Sequence, residues 1–129
     1  MLKDADIAIE RLAEEGIEFV PGSRRGLLLI CEHAGSAIPQ GWNNLGLGDE
    51  FLETHFACDL GARALAFDLA SRLGSPLIAA RYARLYFDIN RHPGDWERIR
   101  PDMGGIPIPG NENLSPVDHD LRDRIARAP

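Results

Sequence analysis

The chain carries, at residues 29–36, the stretch Leu29-Ile30-Cys31-Glu32-His33-Ala34-Gly35-Ser36. The apolar run from Leu27 to Cys31 predicts a strand that is covered on both faces. In an open α/β sheet, ligands bind just beyond the carboxyl ends of the strands. We therefore expect chemistry at the Glu32-His33 pair, where this predicted strand ends.

Outward from this strand, hydrophobic periodicity and breaker residues predict alternating helices and strands. Helices are predicted over residues 6–15, over 49–73 with Gly74 as the stop, and from Ser115 and Pro116 to the chain end. Strands are predicted over residues 27–31, 76–80 and 84–90. The stretches 34–48 and 92–113 are rich in Gly and Pro and predict irregular structure. This order predicts an α/β fold in three layers.

Composition narrows the class of protein. With 129 residues, 44% apolar and 26% charged, the chain predicts one soluble globular domain over residues 1–129. A net charge of −6 argues against nucleic acid or an anionic membrane surface as partner. No apolar run is long enough to span a bilayer and no leader opens the chain, so we expect the cytoplasm. The two cysteines predict buried, reduced thiols, and a Cys31-x-His33 metal pair is the alternative.

Candidate catalytic and metal-binding residues follow the first predicted strand and lie in the long predicted helix. His33 fits a metal ligand or a catalytic group, and it fits equally a histidine that caps the loop. Glu32 is a second ligand, a group that orients His33, or a solvated acid. His55 and Asp59 lie four residues apart and would share one helix face. A buried Asp59 would need a metal or an arginine as partner, whereas an exposed one would form a surface pair.

The segment from Arg84 to Arg91 is the second cluster. Its alternation places Arg84, Tyr86, Asp88 and Asn90 on one face of the predicted strand. The planar fork of arginine suits a carboxylate, so an acidic small molecule is the expected substrate. The polar face could instead be the wet side of an edge strand, and Asp88 could pair with Arg84 or Arg91.

Taken together, these segments resemble the N-formylglutamate amidohydrolase family. The resemblance spans about residues 27–114 and rests on five motifs in the family's order: Cys31-Glu32-His33-Ala34 with Ile38-Pro39, Leu45-Gly46-Leu47, His55-Phe56-Ala57-Cys58-Asp59-Leu60-Gly61-Ala62, Tyr82-Ala83-Arg84-Leu85 with Asp88-Ile89-Asn90-Arg91, and Ile108-Pro109-Gly110-Asn111.

The resemblance implies a three-layer α/β/α, phosphorylase/hydrolase-like fold with a mixed sheet, akin to the zinc-dependent carboxypeptidases and acylases. It implies metal-dependent hydrolysis of the amide bond of an acidic N-acyl amino acid, with N-formyl-L-glutamate giving formate and glutamate. A divalent metal, zinc or alternatively cobalt, polarises the carbonyl and activates water in such chemistry.

The same resemblance assigns roles to individual residues. His33 matches the metal ligand at the first strand end, and Asp59 matches a second ligand or its support. Beside these matches, Glu32 and His33 are predicted as the catalytic residues. Asn90 and Arg91 match a pair that grips the substrate carboxylate, with Arg84 assisting.

Members of this family are roughly twice as long, and their second half carries a His-Ser strand end and an acid suited to the general-base role. We therefore expect this chain to be a truncated N-terminal half, with an exposed sheet edge through which copies could form a homo-oligomer. The alternative function is a catalytically inactive fragment that binds an acidic small molecule or a partner chain. A third is a structural domain whose polar residues are solvated or paired internally.

Overall fold

The computed structural model describes residues 4–128, so the ends of the predicted domain 1–129 lie outside the described residues. The helices are α1 (Asp4–Glu15), α2 (Asp49–Leu52), α3 (Ala62–Leu73) and α4 (Pro116–Arg127). The strands are β1 (Ile17–Val20), β2 (Leu29–Cys31), β3 (Leu77–Ala80), β4 (Asp102–Met103) and β5 (Ile106–Pro107). The predicted helices at both ends of the chain and the strands around residues 29 and 77 are confirmed.

The main sheet has three strands in the order β1-β3-β2 and is mixed. β2 runs parallel to β3, with Leu29 opposite Leu77, whereas β1 runs antiparallel to β3, with Ile17 opposite Ala80. Because β2 and β3 are parallel, the segments that follow Cys31 and Ala80 leave the sheet at the same edge. The α/β class and the mixed sheet are therefore as predicted, although β1 was not among the predicted strands.

One face of this sheet is covered and the other is open in the described residues. Helix α3 covers the first face, where Leu77 and Ala79 are fully buried beside Ala70. On the opposite face, Phe19 is 60% exposed and Ile30 is 64% exposed. The prediction that the strand ending at Cys31 is covered on both faces is thus wrong.

The predicted single helix over residues 49–73 is also wrong, because α2 ends at Leu52 and α3 begins at Ala62. Between them the backbone forms turns. The Thr54 hydroxyl donates to the Phe51 carbonyl at 2.7 Å, and Gly61 adopts a left-handed φ of 82° just before α3. His55 and Asp59 therefore do not share a helix face, which corrects the predicted surface pair.

The predicted strand over residues 84–90 consists of turns instead. Tyr86 donates its backbone N–H to the Ala83 carbonyl at 3.0 Å, and Arg91 donates to that of Asp88 at 3.1 Å. The alternation of polar and apolar residues does not reflect two strand faces here, because the consecutive residues Leu85, Tyr86 and Phe87 are all buried in the main core.

That core lies beyond the strand ends, between α1, α4 and the long connections. It includes Ile9, Leu45, Leu85, Ile108 and Ile125. As predicted, Ser115 is the N-cap of α4, where its hydroxyl accepts from the Asp118 N–H at 3.1 Å. Among residues 4–128, no helix combines the length and the apolar character needed to cross a membrane.

Candidate functional site

His33 lies in the turn that follows β2, with a carboxylate at each ring nitrogen. Its Nε2 is 2.7 Å from Asp88 Oδ1, and its Nδ1 is 3.4 Å from Asp59 Oδ2. The side chains of His33 and Asp88 are nearly buried, whereas that of Asp59 is 53% exposed. The tight pair with Asp88 fixes the ring orientation, and the looser contact leaves the Nδ1 side open to solvent.

Asp88 is held by the backbone around it. Its Oδ1 accepts from the Asn90 N–H at 2.9 Å, and its own N–H donates to the Arg98 carbonyl at 2.8 Å. Asp88 therefore pairs with His33. The sequence had suggested Arg84 or Arg91 as the partner of this acid. The Asp-x-Asn spacing favours this kind of local turn, and it was the one available signal for a fixed carboxylate.

Arg84 holds the turns that carry Asp59. Its guanidinium donates to the carbonyls of His55, Phe56 and Cys58 and lies 3.1 Å from Asp59 Oδ1. The Asp59 N–H also donates to the His33 carbonyl at 2.9 Å. The structure thus brings His33, Asp59 and Arg84 together, and this trio with Asp88 is named the histidine cluster.

A cavity of about 270 Å³, named the charged cavity, adjoins this cluster. Its charged and polar lining consists of His55, Arg84, Asp88, Arg91, Glu97 and Arg100. Arg91 Nη1 lies 2.9 Å from Glu97 Oε2. Three arginines and two acids line this cavity, and the guanidinium donors of the arginines suit an anionic ligand.

A second cavity of about 150 Å³ lies on the other side of Arg84 and is mostly apolar. Glu32 and His33 line it together with Tyr82, Phe87 and Ile89. Glu32 is therefore separate from the charged cavity. The Asn90 side chain is exposed and contributes to neither lining, although its N–H binds Asp88.

Within residues 4–128, no group of three or more His, Cys, Asp or Glu side chains is arranged to hold a metal ion. His33 and Asp59 nevertheless form a pair that could contribute two ligands. Two ligands at usual zinc bond lengths in a tetrahedral site are about 3.3 Å apart. The observed separation of 3.4 Å between Nδ1 and Oδ2 fits that spacing. The donor set therefore fits half of a zinc site.

Cys31 fits such a site less well. Burial raises the pKa of its thiol, and the Asp59 carboxylate raises it further. A metal ligand must be the thiolate, so these effects work against the alternative Cys31-x-His33 pair. Both cysteines are free and half-buried.

A buried polar network binds backbone carbonyls of the turns next to the histidine cluster. Little in the sequence indicated this network. The Asn111 amide donates to the carbonyls of Leu85 and Arg100, both at 2.8 Å. Arg122 donates at 2.7 Å to the Tyr86 carbonyl and to Asn111 Oδ1. The turn motif ending at Asn111 was recognised, but nothing in its local pattern indicated this partner.

The fold and the site define an α/β protein whose histidine and carboxylates lie beyond the carboxyl ends of two parallel strands, beside an arginine-lined cavity. Residues 25–128 match the sequence profile of the N-formylglutamate amidohydrolases. The chain therefore belongs to the N-formylglutamate amidohydrolase family, as the motifs predicted.

A solved structure agrees with this assignment. The crystal structure of a gene product from Agrobacterium tumefaciens superposes with a TM-score of 0.77 at 32% sequence identity. The match covers 83% of this chain and 43% of that one, so the chain spans less than half the length of its structural relative. No curated protein sequence matches significantly.

Proposed function

We propose that this chain carries the metal- and substrate-binding part of an amidohydrolase that cleaves N-formyl-L-glutamate, or a similar acidic N-acyl amino acid, to the free acid and the amino acid. Family membership supports the reaction class. The observation that carries the proposal is the placement of His33 between Asp59 and Asp88, beside a cavity lined by three arginines.

The metal would be held by His33 Nδ1 and Asp59. When bound, a divalent ion such as zinc or cobalt polarises the amide carbonyl and lowers the pKa of a bound water. Asp88 fixes the orientation of the His33 ring through Nε2, and Arg84 orients Asp59. Glu32, on the apolar-cavity side, stays a predicted catalytic residue.

The charged cavity would bind the substrate. Arg91 offers a guanidinium fork to the substrate carboxylate, and Asn90 is the predicted neighbour in this role. Arg84 reaches the same cavity from the histidine cluster. The substrate amide would then lie between the carboxylate-binding arginines and His33.

We also propose that the complete catalytic domain is three-layered, with this chain as its N-terminal half. The open face of the sheet and the outer strands β1 and β2 are where further chain or a second copy would pack. The free cysteines suit the reducing cytoplasm, which is the compartment we propose.

Zinc stoichiometry tests the metal part of the proposal. We expect one zinc per purified chain, lost in His33→Ala and retained in His119→Ala, which removes an exposed histidine of α4. Equal zinc content in the two variants would exclude His33 as a ligand.

Formate release tests the reaction. The chain is incubated with zinc or cobalt and N-formyl-L-glutamate, and formate production that His33→Ala abolishes would support the reaction. Substrate binding without formate production would leave the alternative, a binding fragment without catalysis.

A further inference from the structure

Arg100 is an arginine of the charged cavity that no sequence motif singled out. It follows the single-turn helix Trp96–Ile99, and its side chain is largely buried. Its Nε donates to the Asp102 carbonyl at 3.1 Å, and its guanidinium lies over the Trp96 ring at 5.0 Å. These two contacts fix the direction of the guanidinium toward the cavity.

Glu97 lies between Arg100 and Arg91. Its Oε2 is 2.9 Å from Arg91 Nη1, and its Oε1 is 3.5 Å from Arg100 Nη1. The guanidinium groups of Arg91 and Arg100 therefore lie on the wall of the same cavity, with the Glu97 carboxylate between them. Arg100 Nη2 also lies 3.9 Å from Asp102 Oδ1. A guanidinium has five N–H donors, so these carboxylates leave donors on both arginines for a ligand.

The positions of the two arginines relative to the histidine cluster differ. Arg91 closes the turn that begins at Asp88, whose carboxylate contacts His33. Arg100 lies on the other side of Glu97. In an N-acyl amino acid the α-carboxylate is close to the amide bond, whereas a side-chain carboxylate is farther away. Arg91 is the proposed carboxylate-binding arginine and follows the turn at Asp88, so it suits the α-carboxylate. Arg100, across Glu97 on the wall of the same cavity, then suits the side-chain carboxylate.

We infer that Arg100 determines specificity by binding the side-chain carboxylate of a dicarboxylic N-acyl amino acid, while Arg91 binds its α-carboxylate. This inference rests on the proposed function and adds a residue and a discrimination to it. A ligand with a side-chain amide would offer Arg100 a neutral acceptor in place of a charged one. Such a loss of a charge-assisted hydrogen bond costs about tenfold or more in affinity.

Calorimetric titration with two ligands tests this inference. The chain is titrated with N-acetyl-L-glutamate and with N-acetyl-L-glutamine, in the presence of EDTA so that binding is measured without turnover. We expect the glutamate derivative to bind about tenfold more tightly. Equal dissociation constants in the wild-type protein would overturn the inference without recourse to any variant.

Variants then locate the preference. Arg100→Gln is expected to weaken binding of the glutamate derivative to the level of the glutamine derivative and to leave the latter unchanged. Arg91→Gln is expected to weaken both. Arg72→Gln removes an exposed arginine of α3 paired with Asp68 and serves as the matched control. A preference that survives in Arg100→Gln would overturn the inference.

Arg100→Lys guards against loss of the positive charge, since it keeps the charge and loses the fork together with the bond to the Asp102 carbonyl. Its preference is expected to lie between those of the wild-type protein and Arg100→Gln, and a preference equal to that of the wild type would count against fork recognition. If neither ligand binds the wild-type chain, the proposed function fails at its binding step and the inference fails with it. If both bind equally, only the inference fails.

Discussion

Arg84 and Arg122 each bind several backbone carbonyls, and their surroundings differ. Arg84 binds the turns around Phe56 and shares its charge with the half-exposed Asp59. Arg122 is fully buried, lies over the rings of Trp42 and Tyr86, and binds carbonyls and the Asn111 amide oxygen. Burial lowers the pKa of Arg122 to about 10, so the group still carries its charge at neutral pH.

The comparison teaches how one residue type serves two purposes. Arg122 lies in a closed network, where each hydrogen bond is protected from water and contributes to folding. Arg84 lies at the border of two cavities, where its carboxylate partner remains accessible to a metal or a ligand. We therefore expect substitutions around Arg122 to act on stability and substitutions around Arg84 to act on binding.

The largest effect is expected for Arg122→Met. The variant leaves the Tyr86 carbonyl and Asn111 Oδ1 without their buried donor, so the free energy of unfolding should fall by about 3 kcal/mol or more. Urea denaturation measures this change. The exposed control Arg72→Met should change it by less than about 0.5 kcal/mol. A loss below about 1 kcal/mol for Arg122→Met would break the comparison.

A smaller effect, on binding and not on folding, is expected for Asp88→Asn. The amide can still accept from His33 Nε2, but it no longer places a negative charge next to the ring. Zinc affinity should fall by about 10- to 100-fold, and competition with a chromophoric chelator measures it. Asp68→Asn, on the exposed side of α3, is the matched control. Unchanged zinc affinity in Asp88→Asn would show that this carboxylate does not support a metal ligand.

The smallest effect concerns Tyr82, which packs against Tyr86 and donates to the Leu12 carbonyl at 2.7 Å. Tyr82→Phe removes this hydrogen bond and should cost about 1 kcal/mol at neutral pH. Burial raises the pKa of Tyr82 to about 12 in the folded protein, against about 10 when unfolded.

The sign of the pH dependence follows from this difference in pKa. Between about pH 10 and 12 the folded state keeps a proton that the unfolded state loses, so stability falls as pH rises through this window. Tyr82→Phe lacks this contribution, and its stability should decline less steeply there. Urea denaturation across the window measures both curves, and parallel curves would contradict the assignment.

The local sequence pattern was sufficient to predict the first strand end. It was insufficient to predict the turns that lie opposite this strand end. The apolar run before Glu32 and the cap at Ser115 are short-range signals, and both gave correct elements. Strand β1 has only four residues, and its pairing with β3 depends on contacts about sixty residues away in sequence. No local periodicity contains that information.

The segment predicted as the second strand end shows that local pattern is also insufficient at the candidate site. Residues 84–90 alternate as a strand would, but Asn111 and Arg122 bind the carbonyls of Leu85 and Tyr86 and hold this segment in turns. Similarly, Arg84 binds the carbonyls around Phe56, in the segment where one continuous helix was predicted. Distant side chains therefore override local propensity at the places where the site is built.

The pairing of each tryptophan with an arginine gives the chain two intrinsic optical probes. Trp42 lies against Arg122 in the closed network, and the largely exposed Trp96 lies against Arg100 at the charged cavity. These are the two tryptophans of the sequence. Emission from Trp42 therefore reports the docking of α4, and emission from Trp96 reports events at the cavity. Folding and ligand occupancy can be followed separately without attaching a label.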